Sequence, residues 1–186
     1  MLSASSLTII AALVLVPIGI AYIRRTGSGP LQSVAIIALA VYMAVVVGVT
    51  QGPLPVDGTY PRGFDLTQAN LIPFRTIARY FADGVGLELA SRQVGGNLVL
   101  LMPLGFLAPI VSERARTLSR LIVLGVVVAL AIESIQLLVI LGLGNVARAV
   151  DVDDVILNTV GAVIGWAIWR GLSQLSPGLA PGRQVA

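Results

Sequence analysis

The chain is 186 residues long, 56% hydrophobic and 11% charged, against roughly 25% charged in a soluble domain, so a water-soluble fold of this size is excluded by the apolar surface it would have to hide. Cysteine and histidine are absent, which excludes disulfides, thiolate metal sites, thiol catalysis and imidazole proton shuttling, leaving carboxylates, arginines, amides and hydroxyls for any chemistry. All twelve basic residues are arginine, the net charge is +3, and no basic run is present, so nucleic acid is not an expected partner.

Five apolar stretches reach or approach the about 20 residues that a helix needs to cross a bilayer. They predict an all-α, polytopic integral membrane protein with about five transmembrane helices and a partly structured loop before the third. The first stretch, Leu7 to Ile23, sits where a secretory signal would, but Arg24 and Arg25 follow it and no basic residue precedes it. A retained helix is expected, with cleavage as the alternative. The second runs from Leu31 to Val49, so residues 1–49 form two N-terminal spans. The loop at 50–95 begins with QGPLPVDGTYPRGFD, whose prolines and glycines read as turns. It continues into LTQANLIPFRTIARYFADGV, where large apolar residues alternate with Arg75 and Arg79 one helical turn apart. That segment suits either an interfacial helix or a re-entrant element packed against protein.

The third span, Val94 to Val111, carries Pro103 and Pro109 in LMPLGFLAPIV and is expected to kink or to stop near Pro109, with neighbours satisfying the freed carbonyls. The fourth runs from Leu118 to Leu141. The fifth, Val155 to Trp169, reaches spanning length only by starting among Asp151, Asp153 and Asp154. Trp166 and Trp169 near its end read as interfacial anchors, and the tail at 171–186, closing with GLAPGRQVA, as disorder. No internal repeat is evident.

Orientation follows from the arginines. With the amino terminus outside, the inner segments hold Arg24, Arg25, Arg114, Arg116, Arg120, Arg170 and Arg183, and the outer ones Arg62, Arg75, Arg79, Arg92 and Arg148. Seven against five, with the long second loop weighing less, favours an outer amino terminus and a cytoplasmic carboxyl terminus.

On these helices Glu133 and Gln136 share a face of the fourth span, and Asp154 and Asn158 share one on the fifth. Asn97 opens the third span, and Asn70 and Arg75 lie in the loop on the same side. One polar pocket opening outward would collect all of them. Each residue also has a plain reading. At least one aspartate is expected to cap the fifth helix, where acids accept free N–H groups and suit the dipole. Asn97, Gln136 and Asn158 are candidates for interhelical hydrogen bonds, and Gly161 with Gly165 for close helix packing. Glu133 is the sharper signal, because an ionisable side chain inside a span is costly and faces a cavity, a partner or a pathway. Arg75 and Arg79 suit bidentate contact with an anionic headgroup. A salt bridge to Glu133 or the aspartates, or contact with lipid phosphates, serves them equally.

NLIPFRTI at 70–77, GNLVLLMPLGFLAPI at 96–110, AIESIQL at 131–137 and DVDDVILNTVGAVIGW at 151–166 together resemble the VanZ-like family of small bacterial membrane proteins, over a motif region at 70–170. The resemblance implies a multi-pass protein of the bacterial plasma membrane, with the first span added to a four-helix core that the second span opens. It carries over Asn70, Pro73, Phe74, Asn97, Pro103, Gly105, Glu133, Gln136, Asp151, Asp153, Asp154, Asn158 and Gly161. It also implies a link to glycopeptide (teicoplanin) resistance, and it brings no catalytic mechanism with it.

Four functions follow as expectations. The first is binding or modifying an amphiphilic cell-envelope component, either a lipid-linked precursor or a lipoglycopeptide, through Asn70, Arg75, Asn97, Glu133, Gln136, Asp154 and Asn158. The second is a metal-assisted membrane enzyme acting on a lipid-linked substrate. There Asp151, Asp153 and Asp154 would be oxygen ligands for a divalent cation and Glu133 a general base, although no cofactor is otherwise expected. The third is a small proton- or cation-coupled transporter, and the fourth a structural or partner-binding protein.

Overall fold

The computed structural model describes residues 2–54, 69–82, 87–143, 150–176 and 179. The helices follow in the order α1 (Ala4–Thr26), α2 (Pro30–Gln51), α3 (Arg75–Ala82), α4 (Leu87–Val111), α5 (Leu118–Leu143) and α6 (Val152–Leu175), with a 3-10 turn, Glu113–Arg116, between α4 and α5. Among the described residues there is no sheet, and isolated backbone pairings join Leu2 to Leu54 and Asn70 to Asp151. All of these helices except α3 are long and apolar enough to cross a membrane. The protein is therefore all-α and multi-pass.

Local signals account for the hairpin of α1 and α2. Ser3 caps α1 by accepting the Ser6 N–H, and Gly27 ends it at φ 63°, a left-handed conformation that glycine adopts without a steric penalty. Pro30, with its fixed φ and missing N–H, then opens α2. Helix α1 packs on α2 and buries only Gly19, so it lies at the edge of the bundle.

The centre is the contact between α4 and α6. A Cβ at Gly105 would stand 1.9 Å from the Ala162 carbonyl oxygen, and one at Gly161 or Gly165 the same distance from the carbonyl oxygens of Leu98 or Met102. The small residues therefore set the helix separation. Around this contact α2 and α5 complete a core of Val46, Leu101, Leu104, Leu121, Ala129 and Ala162. The outward faces keep large apolar residues exposed, among them Leu13, Val34, Val123 and Leu138, as a lipid-facing surface requires.

Several boundaries differ from the sequence reading. Helix α4 begins at Leu87, two turns before Val94, and its polar start is held by an exposed Glu88–Arg92 pair at 2.8 Å. It also continues through both prolines to Val111. Pro103 cannot donate to the Val99 carbonyl, and the Tyr42 hydroxyl of α2 approaches that oxygen at 3.3 Å and Leu100 O at 2.9 Å, so a neighbouring helix supplies the missing donor. Helix α6 starts directly after Asp151 and runs to Leu175, into the expected tail, because Trp169 and Ser173 keep its inner face buried. Trp169 is 1% exposed and packs on Ala35 and Ile110. It is a core residue, where an interfacial anchor was expected, and its indole N–H donates to Leu179 O.

The bundle has two unlike ends. Gln136 Nε2 donates to Thr50 O at 3.0 Å, bringing the end of α5 to the end of α2. Gln32 Nε2 donates to Val111 O at 2.8 Å, bringing the start of α2 to the end of α4. The first end carries Glu133 and the aspartates of DVDD; the second carries Arg24, Arg25, Arg114, Arg116, Arg120 and Arg170, with Glu113 among them. Residues 55–68, expected from their prolines and glycines to form turns, with Asp57, Arg62 and Asp65, and also Asp83, Arg148 and Arg183, lie outside the described residues.

Candidate functional site

At the carboxylate end the three aspartates of DVDD perform three different tasks. Asp151 is the N-cap of α6 and accepts the Asp153 N–H at 2.8 Å, which satisfies one of the free donors of a helix start. The same Oδ1 accepts from Asn70 Nδ2 at 2.8 Å. Asn70 also pairs through its backbone, donating to Val150 O and accepting from Val152 N–H. Its side chain bonds Thr76 Oγ1 and accepts the Ile72 N–H. The loop at 70–72 is thereby tied to the start of α6.

Asp153 reaches across to another element. It is 0% exposed, and its carboxylate accepts the backbone N–H groups of Phe74, Thr76 and Ile77. This is an N-cap supplied from α6 to α3. Phe74 has φ 65°, a conformation costing an L-residue about 1–2 kcal/mol, which the bond from its N–H to a carboxylate offsets. Asp154 accepts from Asn97 Nδ2 of α4. Glu133, 6% exposed, accepts the Asp151 N–H at 3.2 Å. A carboxylate inside α5 thus lies against the positive amino end of α6, the position in a helical bundle where a buried acid is best tolerated.

Arginines do not balance this cluster: among the described residues the ion pairs are Arg92–Glu88 and Arg116–Glu113. The expected salt bridge from Arg75 or Arg79 to Glu133 or the aspartates is not formed there. The negative field reaches α3, where Tyr80 is pushed above the usual tyrosine range, first by burial and then by Asp154 and Asp151. The carboxylates do not converge on one point, and among the described residues no three acidic side chains are grouped to hold a metal ion.

Two candidates lie apart from this network. Gln136 bonds Thr50 O of α2. Asn158, 1% exposed, has an Oδ1 without a partner among the described residues. The structure adds residues that sequence reasoning did not select. Thr76 and Tyr80 stand on α3 beside the cluster, and Gln51 at the end of α2 is buried, its Oε1 unpartnered among the described residues. Gln51 gave a faint signal as a polar residue closing an apolar span.

Helix α3 presents what the network holds in place. Arg75 and Arg79 are exposed, and just before them Leu71, Ile72 and Phe74 are 72%, 57% and 61% exposed. An apolar tip with two guanidiniums behind it therefore projects from the carboxylate end.

Residues 39–174 match the family model described as VanZ/LLP1. The chain belongs to the VanZ/LLP1 family. The match begins midway along α2 and ends in the last turn of α6, so α1 is outside it and every residue of the acid and amide network is inside it. No curated protein and no solved structure matches the chain. The VanZ/LLP1 region thus coincides with the tightly packed part of the bundle and with α3.

Proposed function

We propose that the protein binds the anionic headgroup of an amphiphilic cell-envelope component, a lipid-linked precursor or a lipoglycopeptide, on α3 at the outer face of the bacterial plasma membrane. The observation that carries this reading is the capping of α3 by the buried Asp153, which leaves Arg75 and Arg79 exposed beside the apolar Leu71, Ile72 and Phe74. Guanidiniums suit phosphate and carboxylate, and the adjacent apolar tip suits a lipid chain. The carboxylates act as the mount of this surface and not as its ligands. Teicoplanin resistance enters as a consequence: a protein that holds the drug or its lipid-linked target lowers their encounter. The arginine distribution supports the outward placement.

The unpartnered Oδ1 of Asn158 favours a second reading, a proton- or cation-bearing guest within the bundle. One experiment separates the two. The full chain in nanodiscs is titrated with a fluorescent lipid-linked diphosphate, with its uncharged polyprenol and with labelled teicoplanin. R75Q/R79Q is expected to weaken binding of the anionic ligand about tenfold, the equivalent of about 1.4 kcal/mol, while Asn158→Leu leaves it unchanged. Equal binding by R75Q/R79Q and the wild type refutes the headgroup reading, and loss in Asn158→Leu alone transfers the role to the interior.

A further inference from the structure

At the arginine end, α2, α4, the 3-10 turn and α5 border an open apolar trough of about 350 Å3, within the roughly 300–1,000 Å3 of small-molecule sites. Leu39, Leu104, Ala108 and Leu124 wall it, and Arg114 and Arg120 also line it. It shares Leu39 and Val111 with a second apolar cavity of about 270 Å3 between α1 and α2. The two apolar spaces meet at Leu39 and Val111, and the two arginines line the first of them.

One acid, Glu113, stands among the arginines described at that end. Arg116 is paired with Glu113 at 3.2 Å, whereas Arg114 and Arg120 are exposed and form no ion pair among the described residues. Arg120 lies in the first turn of α5, which holds no acid, so its charge opposes the positive amino end of that helix. An anion between Arg114 and Arg120 would relieve this repulsion and pair both cations. A phosphate is suited to the position, because guanidiniums contact it through paired N–H donors.

We propose that this trough binds one anionic phospholipid of the surrounding bilayer, with the phosphate between Arg114 and Arg120 and an acyl chain along Leu39, Leu104 and Leu124. The site lies at the opposite end from α3 and does not depend on the headgroup reading there. It belongs to the leaflet that the arginine end faces.

Native mass spectrometry of the full chain in detergent, titrated with dioleoylphosphatidylglycerol or dioleoylphosphatidylcholine, tests it. One phosphatidylglycerol is expected to be retained in preference to phosphatidylcholine. Each of R114Q and R120Q lowers that preference about fivefold, as one surface arginine contributes toward an anionic lipid, and the double variant abolishes it. R24Q/R25Q, which removes the same charge from the same end but touches neither cavity, keeps the preference. Since Arg114 and Arg120 are exposed, the single variants stand in for the double one should it fail to fold. Equal retention of the two lipids by the wild type overturns the site, and so does equal loss in R114Q/R120Q and R24Q/R25Q.

Discussion

Asp153 shows how one carboxylate can decide the placement of a distant segment. Its two oxygens accept three backbone N–H groups from residues 74–77, donors that a short helix leaves free at its start. Asp153→Ala should cost about 1–2 kcal/mol, the upper range for a helix cap, and the loss should be local. Hydrogen exchange is expected to speed up at the amides of Phe74, Thr76 and Ile77 while the spans keep their protection, and Asp153→Asn should fall between the two. Unchanged exchange at those amides would mean that α3 is held by its apolar contacts instead. The sequence marks at least one of Asp151, Asp153 and Asp154 as a cap for α6, and Asp151 performs that task. That Asp153 caps a segment 77 positions away has no local signature, because spacing along a helix says nothing of what lies opposite.

Among the elements, α4 and α6 depend most on small side chains. Gly161→Val would drive a Cβ into the Leu98 carbonyl, and overpacking of this kind costs roughly 1–3 kcal/mol. A lowered thermal midpoint in detergent is the expected outcome. Gly171 on the same helix meets nothing within 4 Å, so Gly171→Ala should be neutral or slightly stabilising through helix propensity. Equal effects of the two substitutions would refute close packing as the reason for Gly161. The Gly161 and Gly165 pair was legible as a packing stripe because its four-residue spacing is intrinsic to one helix. The persistence of α4 through Pro103 was not, since it depends on Tyr42, 61 positions earlier in the chain, reaching the carbonyls of Val99 and Leu100.

At the scale of the whole molecule the two ends differ in charge, and the proposed outward placement of the carboxylate end is open to a direct test. A cysteine introduced at Ala82, which is exposed at the carboxylate end, should react with a membrane-impermeant maleimide in intact cells. One at Ser119, exposed at the arginine end, should react only after permeabilisation. The reverse pattern would turn the protein over and with it the proposed outer headgroup surface. The chain has no cysteine, so each label reports one position. The sequence alone determined the all-α, multi-pass architecture, because apolar length and charge scarcity are properties of each segment taken singly. It also determined the family likeness and the gathering of acids and amides at one end, which follows from counting turns along helices of known direction. Only the tertiary structure decided that these groups bond one another, that α3 is mounted on Asp153 with its arginines turned outward, and that Trp169 belongs to the core. Each of those outcomes depends on which residue of another helix stands opposite, and burial and hydrogen bonding are properties of pairs that a single segment does not contain.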